Sequence, residues 1–231
     1  VIGVAGSSGA GKTTVARRIV SIFGREGVPA AGIEGNPDSN TGDSFLRLDR
    51  FYMDLHLEDR KRAGNKHYSF FSPEANDFDL LYEVFKELKE GKSVDKPIYN
   101  HVTGERDPDG QEPGTFTDWP ELIEGADVLV IEGLHALYDE REVNVAQLLD
   151  LKIYVDPDID LELARKIQRD MAERGHSLEG VLDSIEKRRK PDYVNYIAPQ
   201  FSYADLIIQR VPTVDTSNDF IAKIIPVRDE L

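Results

Sequence analysis

The chain has 231 residues, 43 acidic and 28 basic, for a formal net charge of −15. That length fits one α/β domain with a sizeable core, and that charge argues against nonspecific nucleic-acid binding and adhesion to anionic membranes. With no cysteine, disulfides, thiolate nucleophiles and thiol switches are excluded, and no hydrophobic run approaches the roughly 20 residues that span a bilayer.

A soluble, cytoplasmic protein is therefore expected. Because the sequence opens on Val1 rather than Met, it is also expected to be part of a longer product. The first apolar run, Val1 to Ala5, reads as a strand that stops at Gly6. Gly6, Ser7, Ser8, Gly9, Ala10, Gly11, Lys12, Thr13 and Thr14 then spell G-x-x-x-x-G-K-T. In that pattern backbone amides and a helix N-terminus surround nucleotide phosphates. Val15, Ala16, Ile19, Val20 and Phe23 give the following segment one apolar helical face. Residues 27–42 are rich in turn formers and read as a loop or short edge element. Ser44 to Leu48 alternates like a strand and ends on Asp49, and an irregular stretch with Arg60, Lys61, Arg62, Lys66 and His67 follows.

Ser72-Pro73-Glu74 reads as the start of a helix carrying Phe78, Leu81, Phe85 and Leu88 as far as Gly91. Residues 96–102 read as extended and 104–114 as polar loop. Asp127 to Ile131 is a continuous apolar run of the buried-strand type, ending on Glu132-Gly133. A short helix is predicted over 143–149 and a strand over 151–155. A helix follows from Ile159 to about Glu173, with Ala164, Ile167 and Met171 on one side. Arg174-Gly175-His176 breaks it, a further helix runs from Ser177 to Lys190, and Pro191 interrupts again. Late strands are predicted over 204–211 and 220–227. Strands alternating with helices behind such a loop imply a P-loop α/β fold, of the kind P-loop kinases share with other nucleotide-binding proteins. The expectation is a single α/β domain over 1–231, with a mostly parallel mixed sheet, helices on both faces and a lid segment at about 172–190.

Phosphoryl transfer needs a metal beside the β- and γ-phosphates, positive charge around the transferring group, and a carboxylate that accepts the acceptor's proton. Lys12 would reach the phosphates, with Mg²⁺ held by Thr13 and by Glu132 at its strand end. Asp49, also at a strand end where the crevice of an open α/β sheet forms, is the candidate general base. Lys166, Asp170 and Arg174 recur at i, i+4, i+8 on one helical stripe. Basic residues outnumber acidic ones over 165–190, as two anionic ligands would require, and this basic stretch is read as the closing lid.

The chain resembles phosphoribulokinases. The resemblance rests on residues 36–41 (NPDSNT), 71–76 (FSPEAN), 95–104 (DKPIYNHVTG), 130–135 (VIEGLH), 166–175 (KIQRDMAERG) and 214–218 (VDTSN). Some segments match the plant and cyanobacterial form and others the proteobacterial form, which suggests an archaeal-type or deep-branching member. The resemblance implies ATP-dependent phosphorylation of the 1-hydroxyl of ribulose 5-phosphate, with Mg²⁺ as cofactor and a homodimer as the assembly. It places Asp49 as base, Glu132 as metal acid, and Asp170 as a second active-site acid and metal ligand. Tyr52, His56, Tyr99, His101, His135, Lys166 and Arg169 fall to the sugar phosphate, and Arg174 joins residues 6–14 at ATP.

Three departures matter. The family usually carries His and Arg where this chain has Tyr52 and His56, so Arg60, Lys61 or Arg62 is a candidate replacement for the phosphate contact. Ala10 stands where plant-type members carry a regulatory cysteine. Arg188-Arg189 matches a pair tied to allosteric control in proteobacterial members, although a solvated lid helix explains it as well. The nearest rival is a uridine/cytidine kinase, which Asp49-Arg-Phe-Tyr52 resembles, but Gly104 and Met171-Ala-Glu173 depart from that pattern. A nucleotide-binding regulator without catalysis is a further alternative, disfavoured because Lys12, Thr13, Asp49, Glu132 and Asp170 are all present.

Overall fold

In the computed structural model the chain is described over residues 1–26, 30–32, 46–47, 69, 71–96, 99–100, 105–106, 121–123, 127–140, 145–172, 177–210 and 222–226. Strand β1 (Ile2–Gly6) lies at the centre of a seven-stranded sheet that also contains β2 (Ala30–Gly32), β3 (Leu46–Arg47), β8 (Val128–Gly133), β9 (Leu151–Asp156), β10 (Leu206–Arg210) and β11 (Ala222–Pro226). β8 pairs with one side of β1 and β9 with the other, both parallel. β2 and β3 both run parallel along the free side of β8, β10 runs parallel to β9, and among the described strands of this sheet only β11 is antiparallel, against β10. The sheet is mixed and mostly parallel, as expected.

Alternation along the strands separates two cores. Val4, Val130, Ile153, Val155 and Ile208 face helix α1 (Lys12–Arg25), which buries Val15, Ala16 and Val20. Ala5, Leu129, Ile131, Tyr154 and Ile207 face the other way, onto helix α2 (Phe78–Lys89), which buries Phe78, Leu81, Val84, Phe85 and Leu88. Both faces of the sheet are thus covered, and the glycine loop leaves from the carboxyl end of β1, beside that of β8.

Several boundaries differ from the sequence reading. Ser72 and Pro73 open only a 3₁₀ turn (Pro73–Ala75), and α2 begins afresh at Phe78 because the Asp77 side chain accepts the Leu80 amide at 3.1 Å. The predicted polar loop contains β6 (Glu105–Arg106), paired antiparallel with β5 (Tyr99–Asn100). Unforeseen β7 (Glu121–Ile123) pairs with β4 (Val94–Lys96). The helix predicted over 143–149 is a 3₁₀ segment, Val145–Leu148.

Helix α3 (Ile159–Ala172) and helix α4 (Leu178–Ser184) follow β9. Pro191 does not interrupt the chain after α4. The helical path continues to Tyr203 through widened turns at Ile185–Arg189 and Tyr193–Ile197. Just before the proline, the Lys190 amide bonds five residues back to Ile185. That wider register accommodates a ring that would clash in a regular α-helix. Within the predicted lid, 178–190 is continuous helix with Val181 and Ile185 buried, while 173–176 lie outside the described residues.

Candidate active site

Gly6 ends β1 with φ of 145°, and a Cβ there would lie 2.5 Å from the Val155 carbonyl oxygen. Only glycine lets the chain leave β1 this close to β9. Gly9 and Gly11 each take φ of 96°, and the Ala10 amide closes the turn onto the Ser7 carbonyl at 3.2 Å. Gly11 precedes α1 with no side-chain cap, so the first amides of α1 are directed into the loop. Lys12 donates to the Ser7 carbonyl at 2.9 Å, and Thr14 is exposed on the first turn.

Thr13 Oγ1 donates to Glu132 Oε1 at 2.7 Å, across 119 positions of sequence. This contact follows from the β1–β8 register, which sets Val4 opposite Glu132 and Ala5 opposite Gly133. Glu132 is only 4% exposed. A hydroxyl and a carboxylate converging at a phosphate loop form an oxygen-donor pair suited to Mg²⁺, which usually takes one or two protein oxygens and completes its shell with waters and substrate phosphates.

Helix α3 forms the opposite wall, and it is turned over relative to its hydrophobic pattern. Among its described side chains the buried ones are Glu162, Lys166 and Asp170, each 3–4% exposed, whereas Ile159 is 70% exposed and Met171 42%. Ala164 is exposed and Ile167 only half buried. The apolar side of the helix is therefore the more exposed one, and the stripe of Lys166 and Asp170 the buried one. Charge pairing offsets the burial: Lys166 Nζ donates to Asp170 Oδ2 at 2.5 Å, and Arg169 donates to Asp170 Oδ1 at 3.0 Å and to Ser8 Oγ at 3.2 Å. Burial opposes ionisation of Asp170, but the bonds and charges of Lys166 and then Arg169 outweigh it and hold its carboxyl below the ordinary carboxylate value. Lys166 Nζ also lies 5.3 Å from the centroid of the Phe71 ring.

His135 sits in the turn after β8 and is 1% exposed. Its Nε2 is 2.9 Å from the Phe71 carbonyl oxygen, to which it donates, while Nδ1 is buried with no partner among the described residues. Burial first, and the Lys12 charge as well, lower its pKa to about 3 against the opposing bond to Phe71. The turn is pinned by Gln200, fully buried, which accepts the Leu137 amide at 2.9 Å and donates to the Leu134 and Tyr196 carbonyls at 2.8 and 2.9 Å. His135, a candidate substrate contact, bonds the Phe71 carbonyl, and its ring is buried with Tyr138 packed edge-on at 5.8 Å. Gln200 carries no sequence signal beyond being a polar residue in an apolar helical stretch.

Sequence reading and structure thus agree in bringing together residues 6–14, Glu132, Lys166, Arg169 and Asp170. β3 places Arg47 opposite Glu132, two residues before Asp49. Asp49 itself, Tyr52, His56, Arg60, Lys61, Arg62, His101 and Arg174 lie outside the described residues, and Tyr99 is placed by its backbone in β5 alone.

Sheet order, phosphate loop and acid at the neighbouring strand end define a P-loop kinase. The chain belongs to the phosphoribulokinase/uridine kinase family, whose model matches residues 1–217. It is 48% identical over 230 residues to a phosphoribulokinase of Nitrobacter vulgaris, covering 100% of this chain and 77% of that one. It is 53% identical over 213 residues to the chloroplastic phosphoribulokinase of Chlamydomonas reinhardtii, covering 92% of this chain and 52% of the relative. The chain thus spans about half the length of such chloroplastic relatives. Among solved structures, phosphoribulokinase from Rhodobacter spheroides aligns with a TM-score of 0.65 at 41% identity, over 98% of this chain and 75% of that one. Relatives from both bacterial and chloroplastic branches match at similar identity, in line with the mosaic of motifs. Among the described residues no helix is long and apolar enough to cross a membrane.

Proposed function

We propose that this protein phosphorylates the 1-hydroxyl of ribulose 5-phosphate with ATP, giving ribulose 1,5-bisphosphate. The observation that carries the reading is the Thr13–Glu132 contact of 2.7 Å at the mouth of the phosphate loop, in a chain whose curated relatives are named phosphoribulokinase. Bound MgATP supplies the transferable phosphoryl group, with Thr13 and Glu132 as the protein ligands of the metal.

The chain's own residues do the rest. The loop amides and Lys12 hold the phosphate oxygens. Asp49 takes the proton from the acceptor hydroxyl as the new P–O bond forms and the bond from the γ-phosphorus to the β,γ-bridging oxygen breaks, releasing ADP. Lys166 and Arg169 supply positive charge for the two anionic partners, and Asp170 fixes both cations in place. Arg174 closes on ATP, and Tyr52, His56, Tyr99 and His101 line the sugar-phosphate side. Arg60, Lys61 or Arg62 replaces the family's usual arginine contact. A cytoplasmic setting is proposed from the composition and the absence of a bilayer-length apolar run, and a homodimer from the family resemblance.

The test is product identity. Phosphorus NMR of a reaction with MgATP and ribulose 5-phosphate should show a new phosphomonoester coupled to the C1 methylene protons. Phosphorylation at any other oxygen, or simple ATP hydrolysis, would overturn the proposal.

A further inference from the structure

Arg189, singled out in the sequence beside Arg188, points not into solvent but onto α3. Its side chain is 11% exposed and forms an ion pair with Glu162, which is 3% exposed. Glu162 in turn backs the phosphate loop: a Cβ added at Gly9 would lie 3.1 Å from the Glu162 carbonyl oxygen and 3.3 Å from its Cγ. Gly9 takes a left-handed φ of 96° there, so backbone and side chain of Glu162 together form the surface against which the loop turns. Glu162 also continues the buried stripe of Lys166 and Asp170 at i, i+4, i+8. A buried carboxylate directly behind a loop that holds polyphosphate is electrostatically adverse unless a cation cancels it.

We infer that Arg189 is a positioning residue for the nucleotide site: it neutralises Glu162 behind Gly9, so that the phosphate loop keeps its shape without presenting a negative charge to the nucleotide. The inference rests on reading the loop as an ATP site. It gives the helix beyond α4 a role in ATP affinity that does not pass through the acceptor. Arg189→Met removes the cation and leaves the carboxylate, so MgATP binding weakens roughly tenfold, the size expected for one unpaired charge within about 10 Å of a phosphate at an effective dielectric near 20. Glu162→Gln removes the charge but keeps the side-chain shape behind Gly9, so MgATP binding is unchanged or tighter. A strut without electrostatic function predicts that both variants weaken binding.

The experiment measures MgATP binding by calorimetry, and KM for MgATP and for ribulose 5-phosphate, in wild type, both single variants and the double variant Glu162→Gln/Arg189→Met. Expected are a raised KM for MgATP in Arg189→Met with kcat and the sugar-phosphate KM little changed, and recovery of wild-type affinity in the double variant. Unchanged MgATP affinity in Arg189→Met, or no recovery in the double variant, would overturn the inference. Should Arg189→Met fail to fold, Glu162→Gln and the double variant decide the matter, since weaker MgATP binding in either contradicts neutralisation. Wild-type protein that binds no MgATP would overturn the functional reading itself, and this inference with it.

Discussion

Lowering the pH from 8 to 5 should destabilise this protein through one imidazole. His135 has a folded pKa of about 3, against roughly 6.5 for an unfolded chain. Between those values the unfolded state binds a proton that the folded state refuses, so stability falls as the pH drops through the window from about 6.5 to about 3. Each pH unit inside it costs about 1.4 kcal/mol, so by pH 5 the loss is about 2 kcal/mol relative to pH 8. The structural cause is that a proton on Nδ1, buried and without a partner among the described residues, places a cation in the core near Lys12. The assay is urea unfolding of wild type and His135→Gln at pH 8 and pH 5, since glutamine can keep a donor toward the Phe71 carbonyl. Other groups shift too: Asp170 is held low, whereas Asp156 and Asp192 are pushed up chiefly by burial, but their contributions cancel between the two proteins. Wild type should lose about 2 kcal/mol more than the variant over this interval. Equal losses would refute the assignment of a proton-refusing histidine.

Gly6→Ala should lower stability by roughly 3 kcal/mol or more, since its Cβ would press on the Val155 carbonyl at a backbone angle that L-residues avoid; a melting temperature within 2 °C of wild type contradicts this. Glu132→Gln should weaken apparent Mg²⁺ affinity about 10- to 100-fold, read as a shifted Mg²⁺ titration of turnover, and an unshifted titration would remove Glu132 from the metal. Asp49→Asn should cut kcat by about 10²- to 10⁴-fold with ATP affinity near wild type, and a variant retaining most of its turnover would make Asp49 structural.

The phosphate loop was legible because its chemistry is local: two glycines, Lys12 and Thr13 in one continuous run fix the turn and the helix start together. Glu132 was legible because an apolar run that ends on an acid can end at only one edge of a parallel sheet. The orientation of α3 was legible in part. The i, i+4, i+8 spacing with a local basic excess put Lys166 and Asp170 on the ligand side, but nothing local announced that Glu162 would be buried with them while Met171 is exposed, because the neighbouring loop and partner charges that compensate that burial are a tertiary fact. Pro191 misled for a related reason. Its usual penalty assumes regular α-helical bonding, and the widened turn ending at Lys190 removes that assumption. The burial of His135 and its bond to the Phe71 carbonyl had no signal in the motif, since they depend on a residue 64 positions away.

The acceptor specificity is tested most directly by coupled ADP release from MgATP with ribulose 5-phosphate and with uridine, side by side on the same purified protein. Turnover with ribulose 5-phosphate and none above background with uridine is the predicted result. Equal or faster turnover with uridine would contradict it.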